Sequence, residues 1–168
     1  MRSASFRNKD FGSGMLAKFD ELESKSGIKL EVPQKILLAE TGTLEQVLSV
    51  LAGENVFVRV LEQKEARGII SRMSKIGTAS GRVLVKAHSR ILTHNIPGKV
   101  VQLLRARDLG IGSIIQSLEL ETFRKITEIG YDPTSANLFR KYRITIARKV
   151  GFEIKEEFMK RKGGPGGI

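Results

Sequence analysis

The sequence predicts an α+β fold, an antiparallel β-sheet with helices packed on one side. Three features predict it. Runs rich in β-branched residues alternate apolar and polar side chains, the mark of strands with one buried face. Short glycine-bearing turns separate neighbouring runs, which suits antiparallel pairing and leaves no room for parallel crossovers. Amphipathic helical segments precede and interrupt these runs, and each carries an apolar stripe that needs a sheet to cover.

In chain order, the first dozen residues are polar and rich in Gly and Ser. Met15 to Lys25 then brings Met15, Leu16, Phe19 and Leu22 to one side of a helix. Pro33 opens a short helix through Ile36, Leu37 and Leu38 that stops at Thr41-Gly42. TLEQVLSVLAG follows as a helix with Thr43 as N-cap and Gln46 completing a capping box. Leu44, Val47, Leu48 and Leu51 form its buried stripe, and Gly53 ends it. Three strands come next: VFVRVL (Val56 to Leu61), the less regular GIISRMSKI (Gly68 to Ile76) and RVLVKAHSRI (Arg82 to Ile91). In the last, Val83, Val85, Ala87, Ser89 and Ile91 face one way, and Lys86, His88 and Arg90 the other. A helix from Pro97 to Arg107 carries Val100, Val101, Leu103 and Leu104. LGIGS then turns into a second helix, expected to end near Gly130, and YRITIARKVGFEIKEEFM closes the chain as a hairpin around Gly151. No internal repeat and no domain linker is visible. Residues 1–168 therefore read as one domain, flexible over 1–12 and 160–168.

Composition narrows the function. There is no cysteine, which excludes disulfides, zinc fingers and cysteine nucleophiles together. His88 and His94 are too few for a histidine-built metal site; the first reads as a solvated strand residue and the second as a loop residue without a role. No apolar run is long enough to span a bilayer, and Met1-Arg2-Ser3-Ala4 leads into no signal-peptide core, so a reduced, cytoplasmic protein is expected. The net charge of +11 suits polyanions, whether nucleic acid or small carboxylates and phosphates. The tail Lys160-Arg161-Lys162 contributes part of that charge and reads as a solvated end. The aromatic platforms that nucleic-acid surfaces interleave with basic residues are missing, so nucleic acid is not the expected partner.

One stretch, FEIKEEFM, breaks its own pattern. Alternation puts Phe152, Ile154, Glu156 and Phe158 on one face and Glu153, Lys155, Glu157 and Met159 on the other. A carboxylate at Glu156, among apolar residues, costs several kcal/mol unless it has a partner. A structural Glu–Arg pair and a catalytic carboxylate fit the pattern equally well. Arg72 shares a face with Ile70, Ser74 and Ile76 and reads either as a structural ion-pair member or as a fork for a carboxylate. Ser89 points inward as a core hydroxyl or as a donor to a bound anion; no triad order or nucleophile elbow accompanies it. The LGIGS turn opens a helix whose amides can receive an anion, although it is not a P-loop and a tight turn is the plainer reading. Arg140 and Arg143 read as surface charges as readily as site residues.

Five segments, in order over roughly residues 35 to 160, resemble chorismate pyruvate-lyases, in particular their divergent archaeal and mycobacterial branch. They are ILLAETGTLEQVL, ISRMSKIG, VLVKAHSRI, GIGSIIQSLELETFRKITEIG and RKYRITIARKVGFEIKEEFM. The resemblance implies a chorismate lyase-like fold with an interior ligand pocket closed by helical flaps. It implies conversion of chorismate to 4-hydroxybenzoate and pyruvate by elimination, without metal or organic cofactor. Arg72 is then the grip on the ring carboxylate and Glu156 the contact to the ring hydroxyl, with Arg72 as its partner. Leu44 and Ile111 are the apolar contacts to the ring, and Ser89 is a weaker match to a small hydroxyl residue. Two positions depart from the bacterial pattern: Gly110-Ile111-Gly112 where Pro-Leu-Gly is usual, and His88 where a basic residue is usual. The expected partner is a small dicarboxylate, chorismate, rather than a metal, a membrane or a nucleic acid. The same sheet fold occurs in effector-binding domains of bacterial regulators, which leaves a non-catalytic carboxylate sensor as the alternative.

Overall fold

The structure, a computed structural model, describes residues 11–160. Of the stretches expected to be flexible, Phe11 and Gly12 belong to the first helix and Lys160 follows the last strand. The remainder lies outside the described residues. Helices α1 (Phe11–Ser26), α2 (Val32–Ala39) and α3 (Leu44–Ala52) lead into strands β1 (Val56–Ala66), β2 (Ile69–Thr78) and β3 (Val83–Leu92). After a 3₁₀ turn at Thr93–Asn95 come α4 (Gly98–Ala106), α5 (Ile111–Ser117), β4 (Thr122–Asp132), β5 (Asn137–Ile146) and β6 (Lys149–Phe158). The six strands form one antiparallel sheet in the order β1-β2-β3-β6-β5-β4, so the fold is α+β.

Period-2 alternation decides which side chains face the helices. One face of β2, β3, β5 and β6 buries Ile70, Ile91, Ile144 and Phe152 under α4 and α5, with Val100, Leu104 and Ile114. Towards the other strand ends, Ile76, Val85, Leu138 and Phe158 pack under α1, α2 and α3, with Phe19, Leu37 and Leu48. The opposite sheet face carries exposed Lys86, His88, Arg90, Lys141 and Arg143. Two helix groups therefore sit at opposite ends of one sheet face, with a gap between them.

Several local expectations are corrected. Thr43 is at the N-cap of α3 without a side-chain cap bond. The Glu45 carboxylate instead accepts the Glu45 backbone N–H, and the capping box forms one helix earlier, between Glu31 and Gln34. Leu16 and Leu51 face solvent, because only one side of each helix meets the sheet. The helix expected to run to Gly130 stops at Ser117, and β4 takes its place. Ile126 and Ile129, three apart, imitate helical spacing; a bulge between Ile126 and Glu128 is what brings both to the inner face of a strand. The final hairpin turns at Ala147 and Arg148, both with positive φ, rather than at Gly151. Gly151 lies within β6, where a Cβ would come 2.4 Å from Ile96 Cγ2, so the missing side chain admits Ile96 to the core.

An internal repeat, invisible in the sequence, is plain in the register. In the central strand pair, Ala87 lies opposite Glu156 and Ser89 opposite Ile154. A twofold axis between these rungs exchanges Ala87 with Ile154 and Ser89 with Glu156. Followed outward, the same axis takes Arg72 to Arg140 and Ser74 to Tyr142. In the edge strands it takes Val60 to Ile126 and Gln63 to Ile129, and both strands bulge at the next residue. Each half is thus a pair of helices, α2 and α3 or α4 and α5, followed by a three-strand meander, and α1 has no counterpart in the second half. Arg72 and Arg140 agree, but side-chain chemistry has diverged at Ser74 and Tyr142, Ser89 and Glu156, and Gln63 and Ile129, which hides the repeat from a reading of residues alone.

Candidate functional site

The middle of the inner sheet face, between the two helix groups, is polar. Arg72 (3% exposed), Ser89, Arg140 (2%) and Glu156 (4%) are all buried there. A cavity of about 50 Å³ opens beside them, and its walls come in twofold pairs. Leu44 is matched by Ile111, each the first residue of its helix, Ser74 by Tyr142, Ala87 by Ile154 and Ser89 by Glu156. The cavity therefore sits on the axis. Four residues that the resemblance marked, Leu44, Arg72, Ile111 and Glu156, border this one space, and so does Ser89.

Both arginines reach from the sheet to the end of a helix, where carbonyls lack intrahelical donors and favour a cation. Arg72 donates from Nη2 to the Leu104 carbonyl at 2.7 Å, from Nη1 to the Leu109 carbonyl at 2.9 Å and from Nε to Gln63 Oε1 at 2.7 Å. Arg140 donates from Nη1 to the Leu37 carbonyl at 2.7 Å and to the Glu40 carbonyl. Leu37 and Leu104 hold the same place, two residues before the last of α2 and of α4.

The resemblance made Arg72 the partner of Glu156, and the structure corrects this. Arg140 lies directly across from Glu156 and donates from Nε to its Oε2 at 2.7 Å. The Tyr142 hydroxyl donates to Oε1 at 2.8 Å, and the Glu40 carboxylate comes within 3.9 Å of Arg140 Nη2. Arg140 is accordingly a buried ion-pair member and no surface charge, whereas Arg143 is exposed beside Glu153. Arg72 has no carboxylate partner among the described residues; its acceptors are two carbonyls and an amide. Strand order explains the outcome, since β5 borders β6 while β2 is separated from it by β3.

Electrostatics sharpen the contrast between the two ends. Burial, and then the nearby Arg107 charge, lower the Arg72 guanidinium to about 10, which leaves it a cation at neutral pH. Burial is the largest single influence on Arg140 and works against its charge, but Glu156, Tyr142 and Glu40 together outweigh it and the net shift is upward. The Tyr142 hydroxyl is pushed well up, by burial first and the Glu156 charge second, so it remains a donor. One end of the cavity is an unmatched cation and the other a carboxylate held by two donors.

Glu45, half-buried in the first turn of α3, is a cavity residue that sequence reading missed. Its oxygens lie 3.1 Å from where a Cβ on Gly112 would stand, so it joins α3 to the start of α5. Burial raises its carboxyl above the usual range, and the Glu156 charge adds to the shift. A raised carboxyl binds its proton more tightly folded than unfolded, so stability is lost as pH rises from the unfolded pKa through the folded one. Glu45→Gln is expected to melt higher than the parent at pH 7, with the gap closing below pH about 4.5, where both side chains are neutral. A pH series of thermal melts checks this, and an equal gap at both pH values contradicts it.

Other candidates fall away from the cavity. His88 is exposed on the far sheet face and His94 is exposed in the 3₁₀ turn. The LGIGS helix, α5, has seven residues, and Gly110 in its turn is required by Val58, whose Cγ2 would lie 2.9 Å from an added Cβ. A larger hollow of about 570 Å³ on the far sheet face is lined largely by exposed and half-buried charges that pair with one another, Arg90 and Arg143 with Glu153 and Lys64 with Glu62. Among the described residues no group of three or more His, Asp or Glu is placed to hold a metal ion, and no helix is long and apolar enough to cross a membrane.

No protein-family model matches the chain. A crystal structure of the ligand-binding domain of a GntR-family transcriptional regulator from Bordetella bronchiseptica superposes with a TM-score of 0.43 at 10% identity, covering 66% of this chain and 92% of that one. That likeness is too distant to speak to ligand or activity. The chain is 25% identical over 119 residues to chorismate pyruvate-lyases of Mycobacterium tuberculosis and Mycobacterium bovis. The match spans 60% of this chain and 60% of the length of those relatives. Sequence similarity thus links part of this chain, at a distance, to chorismate pyruvate-lyases.

Proposed function

We propose that the chain is a chorismate lyase, which eliminates pyruvate from chorismate to leave 4-hydroxybenzoate in the cavity on the twofold axis. The observation that carries this reading is Arg72: a buried guanidinium with no carboxylate partner among the described residues, bordering the same cavity as Glu156. A guanidinium has five N–H donors, and Arg72 uses three, so a planar carboxylate finds both charge and donors there. Glu156 spends one lone pair of each oxygen on Arg140 and Tyr142 and keeps others free, so it can accept the ring hydroxyl. Leu44 and Ile111 supply apolar contacts on either side of the ring.

The reaction breaks the bond from the ring carbon to the enolpyruvyl oxygen and removes the proton from the carbon that carries the hydroxyl. The electrons of that C–H bond complete an aromatic ring, and the departing enolpyruvate becomes pyruvate on taking up a proton. Aromatisation drives the step, so the protein's share is holding one conformer in a dry site, an effect worth several kcal/mol of barrier. Arg124, half-buried at the cavity wall, is available for the second carboxylate of chorismate. A volume of about 50 Å³ holds only a few waters, each needing about 10–15 Å³. The helix pairs must therefore part to admit a ring acid and reclose over it.

The test is direct. Purified protein given chorismate is expected to release pyruvate, followed by a coupled dehydrogenase, together with the ultraviolet absorbance of 4-hydroxybenzoate in equal amount. Absence of both products sinks the lyase reading. Tight 4-hydroxybenzoate binding without turnover points instead to the effector-binding alternative.

A further inference from the structure

We propose that Glu156 masks a second carboxylate clamp at Arg140, and that the Ser89/Glu156 difference across the twofold axis makes the cavity select a ring acid with one anionic end over a para-dicarboxylate. This rests on the reading of the cavity as a ring-acid site. The twofold relation makes Arg140 the counterpart of Arg72 in strand position, in burial and in hydrogen bonding to a helix-terminal carbonyl. Beside Arg72 stands Ser89, an uncharged hydroxyl that cannot neutralise it; beside Arg140, at the matched position, stands Glu156. Glu156 borders the cavity and Arg140 does not, so the carboxylate lies between the cation and the space a ligand fills.

The geometry suits a para-disubstituted ring. Strands β2 and β5 are three spacings apart, about 14 Å, and both arginines reach inward from that separation. In the wild-type chain a carboxylate at the Arg140 end meets Glu156 and is repelled, while a hydroxyl at that end donates to it. The opposite orientation fails too, because a hydroxyl leaves Arg72 without an anion. Polarity of the site, and with it the orientation of the ligand, comes from one residue difference in an otherwise matched pair.

The experiment compares 4-hydroxybenzoate with benzene-1,4-dicarboxylate by titration calorimetry on the full chain. Wild type is expected to prefer 4-hydroxybenzoate by about tenfold or more. Glu156→Ser reverses the preference by a similar factor, and benzene-1,4-dicarboxylate then raises its melting temperature. Adding Arg140→Met abolishes the reversal. A folded Glu156→Ser chain that still prefers 4-hydroxybenzoate, or binds neither acid, overturns the proposal. Should Glu156→Ser not fold, Ser89→Glu reads the rule from the other end: the new carboxylate matches Arg72, and 4-hydroxybenzoate binding falls about tenfold or more, whereas unchanged binding overturns the proposal. If wild type binds neither acid, the ring-acid reading has failed by itself, and dicarboxylate binding gained by Glu156→Ser still decides for or against the mask.

Discussion

Arg72→Met lowers chorismate turnover, or 4-hydroxybenzoate affinity in the absence of turnover, by about 10²–10⁴-fold, because each charge-assisted hydrogen bond to a carboxylate is worth roughly 1.5–3 kcal/mol and two are lost. Methionine keeps much of the apolar stem, and the Leu104 carbonyl retains the Gln63 Nε2 donor at 3.0 Å, so the α4 end stays tied to β1. Arg72→Lys restores charge but not the planar fork and is expected to recover only part of the loss. Affinity within threefold of the parent in an Arg72→Met chain with an unshifted melt would remove Arg72 from the site.

Glu156→Ala produces the larger effect on stability. Breaking a buried ion pair by deleting one partner costs about 3–5 kcal/mol, because the other charge stays behind unmatched. Here the remaining Arg140 is 2% exposed, and the Tyr142 hydroxyl loses its acceptor as well. At about 2–4 °C per kcal/mol for a chain of this size, the melting temperature falls by roughly 6–20 °C. Glu156→Gln, which keeps the shape and an acceptor oxygen, falls less. A melt of Glu156→Ala within 2 °C or so of the parent would mean that Glu40 alone balances Arg140. Loss of turnover in the alanine variant mixes folding with chemistry, so the glutamine variant is the cleaner probe of Glu156 in the reaction.

The anomaly at Glu156 was legible because its neighbours, Phe152, Ile154 and Phe158, alternate cleanly. The same test applied to β5 would have found Arg140, since Leu138, Arg140, Tyr142, Ile144 and Ile146 share the buried face. The cluster of charges over residues 140–143 concealed it: Lys141 and Arg143 are exposed and made their buried neighbour look like one of them. Glu45 carried no signal of its own, because a glutamate in the first turn of a helix is ordinary until the α5 turn closes over it.

Local chemistry, written in the sequence alone, determined the α+β class, the inner and outer faces of β6 and of β3 from Val85 on (a register shift opposite the start of β3 buries Leu84 rather than Val83), the apolar first residues of α3 and α5, and the presence of one carboxylate and one guanidinium on buried faces. These follow from side-chain period and from the cost of burying charge, and neither depends on distant residues. Tertiary structure decided the partners. Strand order placed Arg140, and not Arg72, beside Glu156, and a bulge in β4 made strand residues of a segment that reads as helix. The twofold register gathered the polar residues of both halves around one cavity. Pairing between strands far apart in the chain is set by the whole sheet at once, so no local pattern encodes it, and the unmatched charge on Arg72 arises only there.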